Sequence, residues 1–168
     1  TLIKLYCQIS YRNIAKYAKQ VFTVSDFSKE RINYWYKTPL EKISVIPNGW
    51  DHFKNIQADS GIFEKFPVLK TKEFYFTLGS LQKRKNLKWI LEYASKHPEE
   101  TFAVSGKTIS GMESTSISDL GKASNIIMLG YVSDGEVKAL MEKCSAFLFP
   151  SYYEGFGIPP LEALSAGA

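Results

Sequence analysis

The sequence predicts an α/β fold in which a parallel β-sheet is covered by helices on both faces. Short runs of β-branched and aromatic residues alternate with segments whose apolar residues recur at helical spacing, and this alternation continues along most of the 168 residues. Strand–helix repeats of this length are typical of a parallel sheet. Hydrophobic residues make up 45% of the chain, which is enough to form a core and argues against disorder.

Residues 1–49 contain the first part of this alternation. The segment 1–20 mixes apolar and basic side chains, which favours a helix with one face on the core, although such a helix can also lie on a membrane surface. The next segments predict a strand, a helix capped by Ser25 or Asp26, and a second strand, at residues 20–24, 26–35 and 42–46. The turn signal Pro47-Asn48-Gly49 follows.

Residues 50–72 interrupt the alternation. Their composition is polar and no period is visible, so we expect a linker with one short helix around Phe63. A second alternation occupies residues 73–168, with strands expected at 74–78, 101–104, 125–129 and 146–149. Four helices are expected in the same part of the chain. One has an apolar face formed by Leu87, Ile90, Leu91 and Ala94, and the others are a segment through Leu120, residues 134–143, and a segment that begins at Pro159-Pro160.

Charge and cysteine content narrow the function classes. The net charge of +4 is too small to argue for nucleic-acid binding by itself. Cys7 and Cys144 lack CxxC spacing, which favours reduced thiols in a cytoplasmic protein, with a disulfide as the alternative. No uncharged apolar run approaches the roughly 20 residues that span a bilayer. The chain lacks an initiating Met and stops at Ala168 within the last predicted helix, so we expect a fragment.

The loop after the last predicted strand carries the most informative residues. Gly155 and Gly157 precede a helix, and both the exposed backbone N–H groups and the helix N-terminus favour an anion. Pro159-Pro160 prevent one continuous helix, so Glu154 is expected in the loop and Glu162 in the first helical turn. Both carboxylates can then flank one ligand and accept hydrogen bonds from its hydroxyls. In the alternative, Glu162 only complements the helix dipole and Glu154 is solvated.

A basic turn follows the strand predicted at 74–78. Lys83, Arg84 and Lys85 lie between this strand and a helix, at the end of the sheet where ligands bind in open parallel folds. Arg84 offers a planar fork and Lys85 a point charge to the oxygens of a diphosphate. A solvated basic turn explains the same residues equally well.

Familiar phosphate and metal motifs do not fit the sequence. The segment 79–86 lacks the second glycine and the Ser or Thr of a P-loop, and Pro160 stands where a dinucleotide fingerprint needs its third glycine. There is no Asp-x-Asp pair to hold a metal on a diphosphate. His52 and His97 have no ligand-like partners nearby in the sequence, so we predict no metal site.

Three groups of residues resemble the group 1 (family 4) retaining glycosyltransferases: Gly79…Lys83-Arg84-Lys85-Asn86-Leu87, Leu129-Gly130-Tyr131-Val132-Ser133-Asp134, and Phe149-Pro150-Ser151…Glu154-Gly155-Phe156-Gly157…Glu162-Ala163. This resemblance implies the two-domain GT-B fold, whose C-terminal Rossmann-like domain holds most of the nucleotide sugar. Segments 23–29 and 46–49 look like the end of the family's N-terminal domain. Residues 1–49 would be the C-terminal part of that N-terminal domain, and residues 50–72 a linker. Residues 73–168 would be the nucleotide-sugar-binding domain, truncated at its C-terminus.

The resemblance also implies roles for individual residues. Lys85, with Arg84, would bind the donor diphosphate, and Glu162 would hold the ribose hydroxyls. Glu154 would contact the transferred sugar near its reacting carbon and is the expected catalytic residue. The other implied donor contacts are Ser80, where many relatives carry Arg, Tyr131 and Val132 beside the base, and the backbone of Phe156, Gly157 and Ile158. Such enzymes resemble catalysts that use positive groups instead of a metal, so no cofactor is expected.

The expected function is transfer of a sugar, with retention, from a nucleotide-sugar donor to a glycan or lipid-linked acceptor. This chain would supply the donor-binding part and be inactive alone, in the cytoplasm or in peripheral contact with the inner face of the membrane. One alternative is a non-catalytic module that binds nucleotides or sugars. Another is a basic nucleic-acid-binding domain that uses Lys83 to Lys88, whereas the leading hypothesis includes no nucleic-acid partner.

Overall fold

A computed structural model of the protein describes residues 2–79, 82–106 and 123–168. It contains a two-stranded and a four-stranded sheet, and all of the strand pairs are parallel. The chain forms two compact units, of which the first is Thr1–Gly49 with Gly155–Gly157 and the second is Trp50–Glu154 with Ile158–Ala168. The predicted α/β, Rossmann-like class is confirmed. The assignment of these segments to the two domains of a GT-B enzyme stays a prediction.

The first unit is built on a parallel pair of short strands. Its elements are α1 (Leu2–Tyr17), β1 (Val21–Thr23), α2 (Asp26–Tyr36), a 3₁₀ turn (Leu40–Lys42) and β2 (Ile43–Val45). Ser25, one of the two residues predicted to cap α2, is its N-cap: the Ser25 hydroxyl oxygen accepts a hydrogen bond from Ser28 N–H at 3.1 Å. The local pattern of strand, cap and helix was therefore predictable from the sequence.

Helix α1 does not have the core-facing side that the sequence favoured. Leu2, Ile3, Tyr6 and Ile9 are all exposed, whereas Ala15 is buried. Within this unit α1 packs against α2, where the ring centroids of Tyr11 and Tyr36 lie 5.2 Å apart. None of the helices in the described ranges has both the length and the apolar character needed to cross a bilayer.

The second unit contains the four-stranded sheet in the order β5-β4-β3-β6. Its strands are β3 (Tyr75–Leu78), β4 (Phe102–Ser105), β5 (Ile126–Gly130) and β6 (Ala146–Phe147). Its helices are α3 (Ile62–Lys65), α4 (Val68–Thr71), α5 (Leu87–Lys96), α6 (Asp134–Lys143) and α7 (Ile158–Ala166), with 3₁₀ turns at Asp51–Asn55 and Lys83–Lys85. The strands lie within one or two residues of their predicted positions. The exception is β6, which is two residues shorter than the predicted 146–149; among the described residues it pairs with β3. The helix predicted through Leu120 lies outside the described residues.

Helices cover both faces of this sheet, as predicted. Phe102 and Val104 of β4 pack with α5, whereas Ala103 between them belongs to the cluster formed with α6. This alternation is the direct consequence of the two-residue period of a strand. The sheet is therefore buried on both sides, and its carboxyl-end loops are the part of the unit available to a ligand.

The segment 50–72 differs from the expected linker with one short helix. It forms a 3₁₀ turn and two short helices, and its buried side chains Phe53, Ile62, Phe63 and Leu69 join the core that α6 covers. Each apolar residue is placed by a separate short turn. No single helical or strand period links them, so the pattern was not visible in the sequence.

Candidate functional site

The loops after β3 and β6 meet at the carboxyl ends of the four-stranded sheet. Because these two strands are parallel neighbours, their following loops leave the sheet side by side. Tyr152 N–H donates a hydrogen bond to the Arg84 carbonyl at 2.9 Å, and Asn86 Nδ2 donates to the Pro150 carbonyl at 3.2 Å. Residues 64 positions apart in the sequence are thereby held together.

Arg84, Lys85 and Glu154 form a cluster of two cations and one carboxylate in these loops. Arg84 Nη1 donates to Glu154 Oε2 at 2.7 Å, and Lys85 Nζ lies 2.8 Å from Glu154 Oε1. The second contact is an ion pair without hydrogen-bond geometry, so Oε1 keeps unused acceptor capacity. The Lys85 side chain is 14% exposed and that of Glu154 is 21% exposed, so neither is fully solvated, whereas Lys83 of the same basic turn is exposed.

The surroundings of Glu154 keep its carboxyl group ionised. Partial burial acts to raise its pKa, but contacts with Lys85, Ser151 and Arg84 outweigh this effect, and the pKa lies below its ordinary value. The Arg84 guanidinium is oriented in turn by Gln82, because Arg84 Nε donates to Gln82 Oε1 at 2.8 Å. In the free protein the two cations are therefore held by an internal anion.

Glycine at the end of β3 allows Lys85 to lie close to the backbone. Gly79 has a φ of +149°, and a Cβ at this position would lie 3.2 Å from Lys85 Cε. On another side, Lys85 Nζ lies 5.1 Å from the centroid of the Phe149 ring, within the range of a cation–π contact. The ammonium group is thus placed by a strand end, an aromatic ring and a carboxylate.

The predicted position of Glu162 in the first turn of its helix is wrong. Helix α7 begins at Ile158, one residue before Pro159-Pro160, so Glu162 is the fifth residue of the helix and lies just beyond its first turn. Prolines are tolerated here because the first four N–H groups of a helix have no partner inside it. The effect of a helix dipole falls off within the first turn, which weakens the alternative that Glu162 only complements it.

Glu162 lines a small cavity in the second unit. The cavity has a volume of ≈ 150 Å³, and its lining includes Leu78, Val132, Asp134 and His52. The Glu162 side chain is 12% exposed, and its Oε1 lies 3.2 Å from His52 Nε2. Burial raises the pKa of the carboxyl group, His52 opposes this effect, and Asp134 adds to it.

His52 is a neighbour of Glu162 that sequence reasoning missed, since no ligand-like partner lies near it in the sequence. It lies on the 3₁₀ turn Asp51–Asn55, far in sequence from α7. Only its position shortly after the turn signal Pro47-Asn48-Gly49 distinguished it in the sequence. Its pairing with Glu162 depends on the packing of that turn against α7.

The other predicted donor contacts are distributed as follows. Val132 lines the Glu162 cavity, and Tyr131 is largely exposed. Phe156 and Gly157 belong to the first unit. In that unit the carbonyl of the neighbouring Gly155 accepts hydrogen bonds from the hydroxyls of Ser25 and Ser28. Ile158 is the first residue of α7 in the second unit. Ser80 lies outside the described residues. The roles of all these residues stay predictions.

One trio of metal-type ligands lies together among the described residues. The ligand atoms of His97, Glu99 and Glu100 are all within 4.8 Å of one another. The trio precedes β4, at the opposite end of the strands from Lys85 and Glu154. Partly exposed acidic groups commonly occur together without a metal, so we assign no ion to it.

A family model identifies the chain. The model described as "Glycosyl transferases group 1" matches residues 60–168. The chain belongs to the group 1 glycosyltransferases. The match includes Arg84, Lys85, Glu154 and Glu162, and His52 precedes it. The resemblance predicted from the sequence is therefore confirmed.

Curated relatives of this glycosyltransferase chain include bacterial mannosyltransferases. The O-antigen chain mannosyltransferase RfbU of Salmonella typhimurium is 32% identical over 97% of this chain and 44% of the relative. The O-antigen chain mannosyltransferase B of Escherichia coli is 29% identical over 96% of this chain and 45% of the relative. The chain thus spans less than half the length of these relatives.

Solved structures share the fold of this group 1 glycosyltransferase. The Anabaena protein Alr3699/HepE in complex with UDP-glucose has a TM-score of 0.74 and 18% identity, over 95% of this chain and 47% of the other. Sucrose-phosphate synthase from Thermosynechococcus elongatus has a TM-score of 0.75 and 16% identity, over 96% and 42%. At these identities the likeness concerns the fold, and the GT-B type of architecture expected for the family is confirmed.

The two clusters of this glycosyltransferase chain lie at the end of the same strand. Leu78, the last residue of β3, lines the Glu162 cavity, and Gly79, the next residue, adjoins Lys85. Two cations can receive a diphosphate, and a carboxylate beside an apolar wall can accept hydroxyl groups. The arrangement therefore offers adjacent anion and hydroxyl sites.

Proposed function

We propose that the protein transfers a sugar from a nucleotide-sugar donor, with retention, to a glycan or lipid-linked acceptor, and that this chain supplies the donor-binding part. The observation that carries the proposal is the clustering of Arg84, Lys85 and Glu154 at the end of β3, beside the Glu162 cavity. The names of the mannosyltransferase relatives and the UDP-glucose bound to the Anabaena neighbour support the substrate class.

In the proposed complex each residue of the site has a separate task. Lys85 and Arg84 bind the diphosphate and stabilise its charge as it leaves, which supports catalysis without a metal. Glu162 accepts hydrogen bonds from the ribose hydroxyls, and Val132 borders the base. Glu154, released from the cations by the diphosphate, contacts the transferred sugar. The donor would thus be oriented by one site for its diphosphate and another for its ribose.

The acceptor and the location remain part of the proposal. A lipid-linked acceptor would bring the protein to the inner face of the membrane. The exposed apolar side chains of α1, interspersed with Lys16 and Arg12, are compatible with contact at a membrane surface. We expect the 168 residues alone to bind a donor weakly and to transfer no sugar.

The test is a calorimetric titration of the full-length protein with UDP-, GDP- and dTDP-sugars. We expect one of these donors to bind and Lys85→Ala to weaken it about tenfold or more, because a hydrogen bond to a charged group contributes about 1.5–3 kcal/mol. Lys88→Ala is the matched control, since Lys88 is exposed and pairs with Glu92 on α5 at 3.4 Å. This variant should bind the donor as the wild type does.

Three results would count against the proposal. If no nucleotide sugar binds, the donor site is refuted. If Lys85→Ala and Lys88→Ala weaken DNA binding equally, with a steep salt dependence, the basic segment serves nucleic acid. Donor binding by a full-length protein that transfers no sugar would identify a non-catalytic binding module.

A further inference from the structure

We propose that His52 is a positioning residue of the donor site, which holds the Glu162 carboxylate in the orientation that receives the nucleoside. The inference rests on the proposed function, in which Glu162 accepts the ribose hydroxyls. His52 lies outside the segment that the family model matches and outside the motifs recognised in the sequence. Its assignment depends on the tertiary structure of the second unit.

The imidazole of His52 faces one oxygen of the Glu162 carboxylate. His52 Nε2 lies 3.2 Å from Glu162 Oε1, with Glu162 12% exposed and His52 59% exposed. An ionised carboxylate has about four acceptor positions on two oxygens, and the imidazole lies beside one of these oxygens. The other oxygen is available to ribose hydroxyls.

The turn that carries His52 is itself fixed on both sides. The next residue, Phe53, is buried in the core. From α6, Lys138 Nζ donates to the carbonyls of Phe53, Lys54 and Ile56 at 3.3, 3.2 and 2.7 Å. These bonds hold the end of the 3₁₀ turn to α6, and the Phe53 carbonyl also accepts a hydrogen bond from Ile56 N–H at 3.3 Å. His52 is therefore presented to Glu162 from a rigid backbone, although its own ring is largely open to solvent.

The electrostatics of the cavity give His52 a second effect on Glu162. The ionisable side chains that line it are His52, Asp134 and Glu162. Burial and Asp134 favour the protonated carboxyl group and raise its pKa, and His52 is the group that opposes them. Loss of His52 would shift Glu162 toward the protonated form, which offers fewer acceptor positions to a ribose.

The experiment compares two probes on the full-length protein, a ribonucleoside diphosphate and inorganic pyrophosphate. UDP and GDP are each titrated by calorimetry, and the one that binds serves as the nucleotide probe. We expect His52→Ala to weaken nucleotide binding about tenfold and to leave pyrophosphate binding unchanged, because pyrophosphate uses Lys85 and Arg84 and lacks a ribose. His52→Gln, which keeps an N–H donor, should recover most of the affinity.

Lys54→Ala is the matched control for this series. Lys54 lies two residues away on the same turn, and its side chain pairs with Asp51 at 3.4 Å and lies over the Trp50 ring. Its removal should leave the affinity for both probes unchanged. A loss with both probes in His52→Ala, or no recovery in His52→Gln, would show that His52 only supports the fold and would overturn the inference.

A Glu162→Gln variant separates the inference from the function on which it rests. If Glu162→Gln weakens nucleotide binding and His52→Ala does not, the positioning role of His52 is refuted and the donor site stands. If neither variant changes nucleotide binding, or if neither UDP nor GDP binds the wild type, the donor role of Glu162 fails and the inference fails with it.

Discussion

The carboxylate of Glu154 occupies the cations that a diphosphate would need, so Glu154→Gln should strengthen the binding of inorganic pyrophosphate. In the free protein Glu154 lies 2.7 Å from Arg84 Nη1 and 2.8 Å from Lys85 Nζ. A polyphosphate must displace this carboxylate and then remain near its negative charge. Glutamine has the same shape without the charge, so the substitution removes both costs.

The size of the effect follows from the exposure of the three side chains. At 2.8 Å and an effective dielectric constant of about 20, the Coulomb attraction between Glu154 and Lys85 is about 6 kcal/mol, and loss of hydration offsets most of it. Arg84 is 35% exposed, so screening leaves its pair worth under about 1 kcal/mol. We expect Glu154→Gln to lower the free energy of unfolding by about 1–2 kcal/mol. Release of the cations should strengthen pyrophosphate binding about tenfold, which corresponds to about 1.4 kcal/mol.

The assays are urea unfolding for stability and calorimetry at low salt for pyrophosphate. Glu92→Gln is the matched control, because it removes the same charge from an exposed pair with Lys88. Sugar transfer by the full-length protein should fall in Glu154→Gln even as diphosphate binding rises. Pyrophosphate affinity equal to that of the wild type, or lower than that of Glu92→Gln, would refute competition between Glu154 and phosphate for the same cations.

Three further predictions concern the packing and titration of the second unit. Gly135→Ala should lower the urea midpoint by an amount equivalent to about 1–3 kcal/mol, because a Cβ there would lie 2.8 Å from the carbonyl oxygen of Gln57; an unchanged midpoint would contradict the packing. The pKa of Glu136 is lowered, chiefly by its hydrogen bond from Lys65, so the free energy of unfolding should decrease as pH falls below about 4.5. In urea titrations, Lys65→Met should make the free energy of unfolding less dependent on pH in this range. Burial raises the pKa of Cys144 to about 11, so iodoacetamide at pH 8 should modify it only after unfolding, and rapid labelling of the folded protein, followed by mass spectrometry, would contradict its burial.

The elements that the sequence predicted well are those with local causes. Helix α6 has the predicted bounds Asp134–Lys143 because its start depends on a capping box between Ser133 and Glu136, residues three apart. The exclusion of one helix across Glu154 and Glu162 was correct because a proline pair disrupts a helix interior whatever surrounds it. The exact turn that holds Glu162 was missed by one residue, since Ile158 has no local signal that marks it as the helix start.

The sequence by itself therefore determined the class of fold, the family, and which loops carry the chemistry, because periodicity, caps and turn residues act over a few positions. The tertiary structure decided which of those residues meet. Arg84, Lys85 and Glu154 share one cluster only because β3 and β6 are adjacent in the sheet, and His52 reaches Glu162 only because segment 50–72 packs into the core. Such pairings depend on burial of apolar surface between distant segments, for which no local pattern of residues carries a signal.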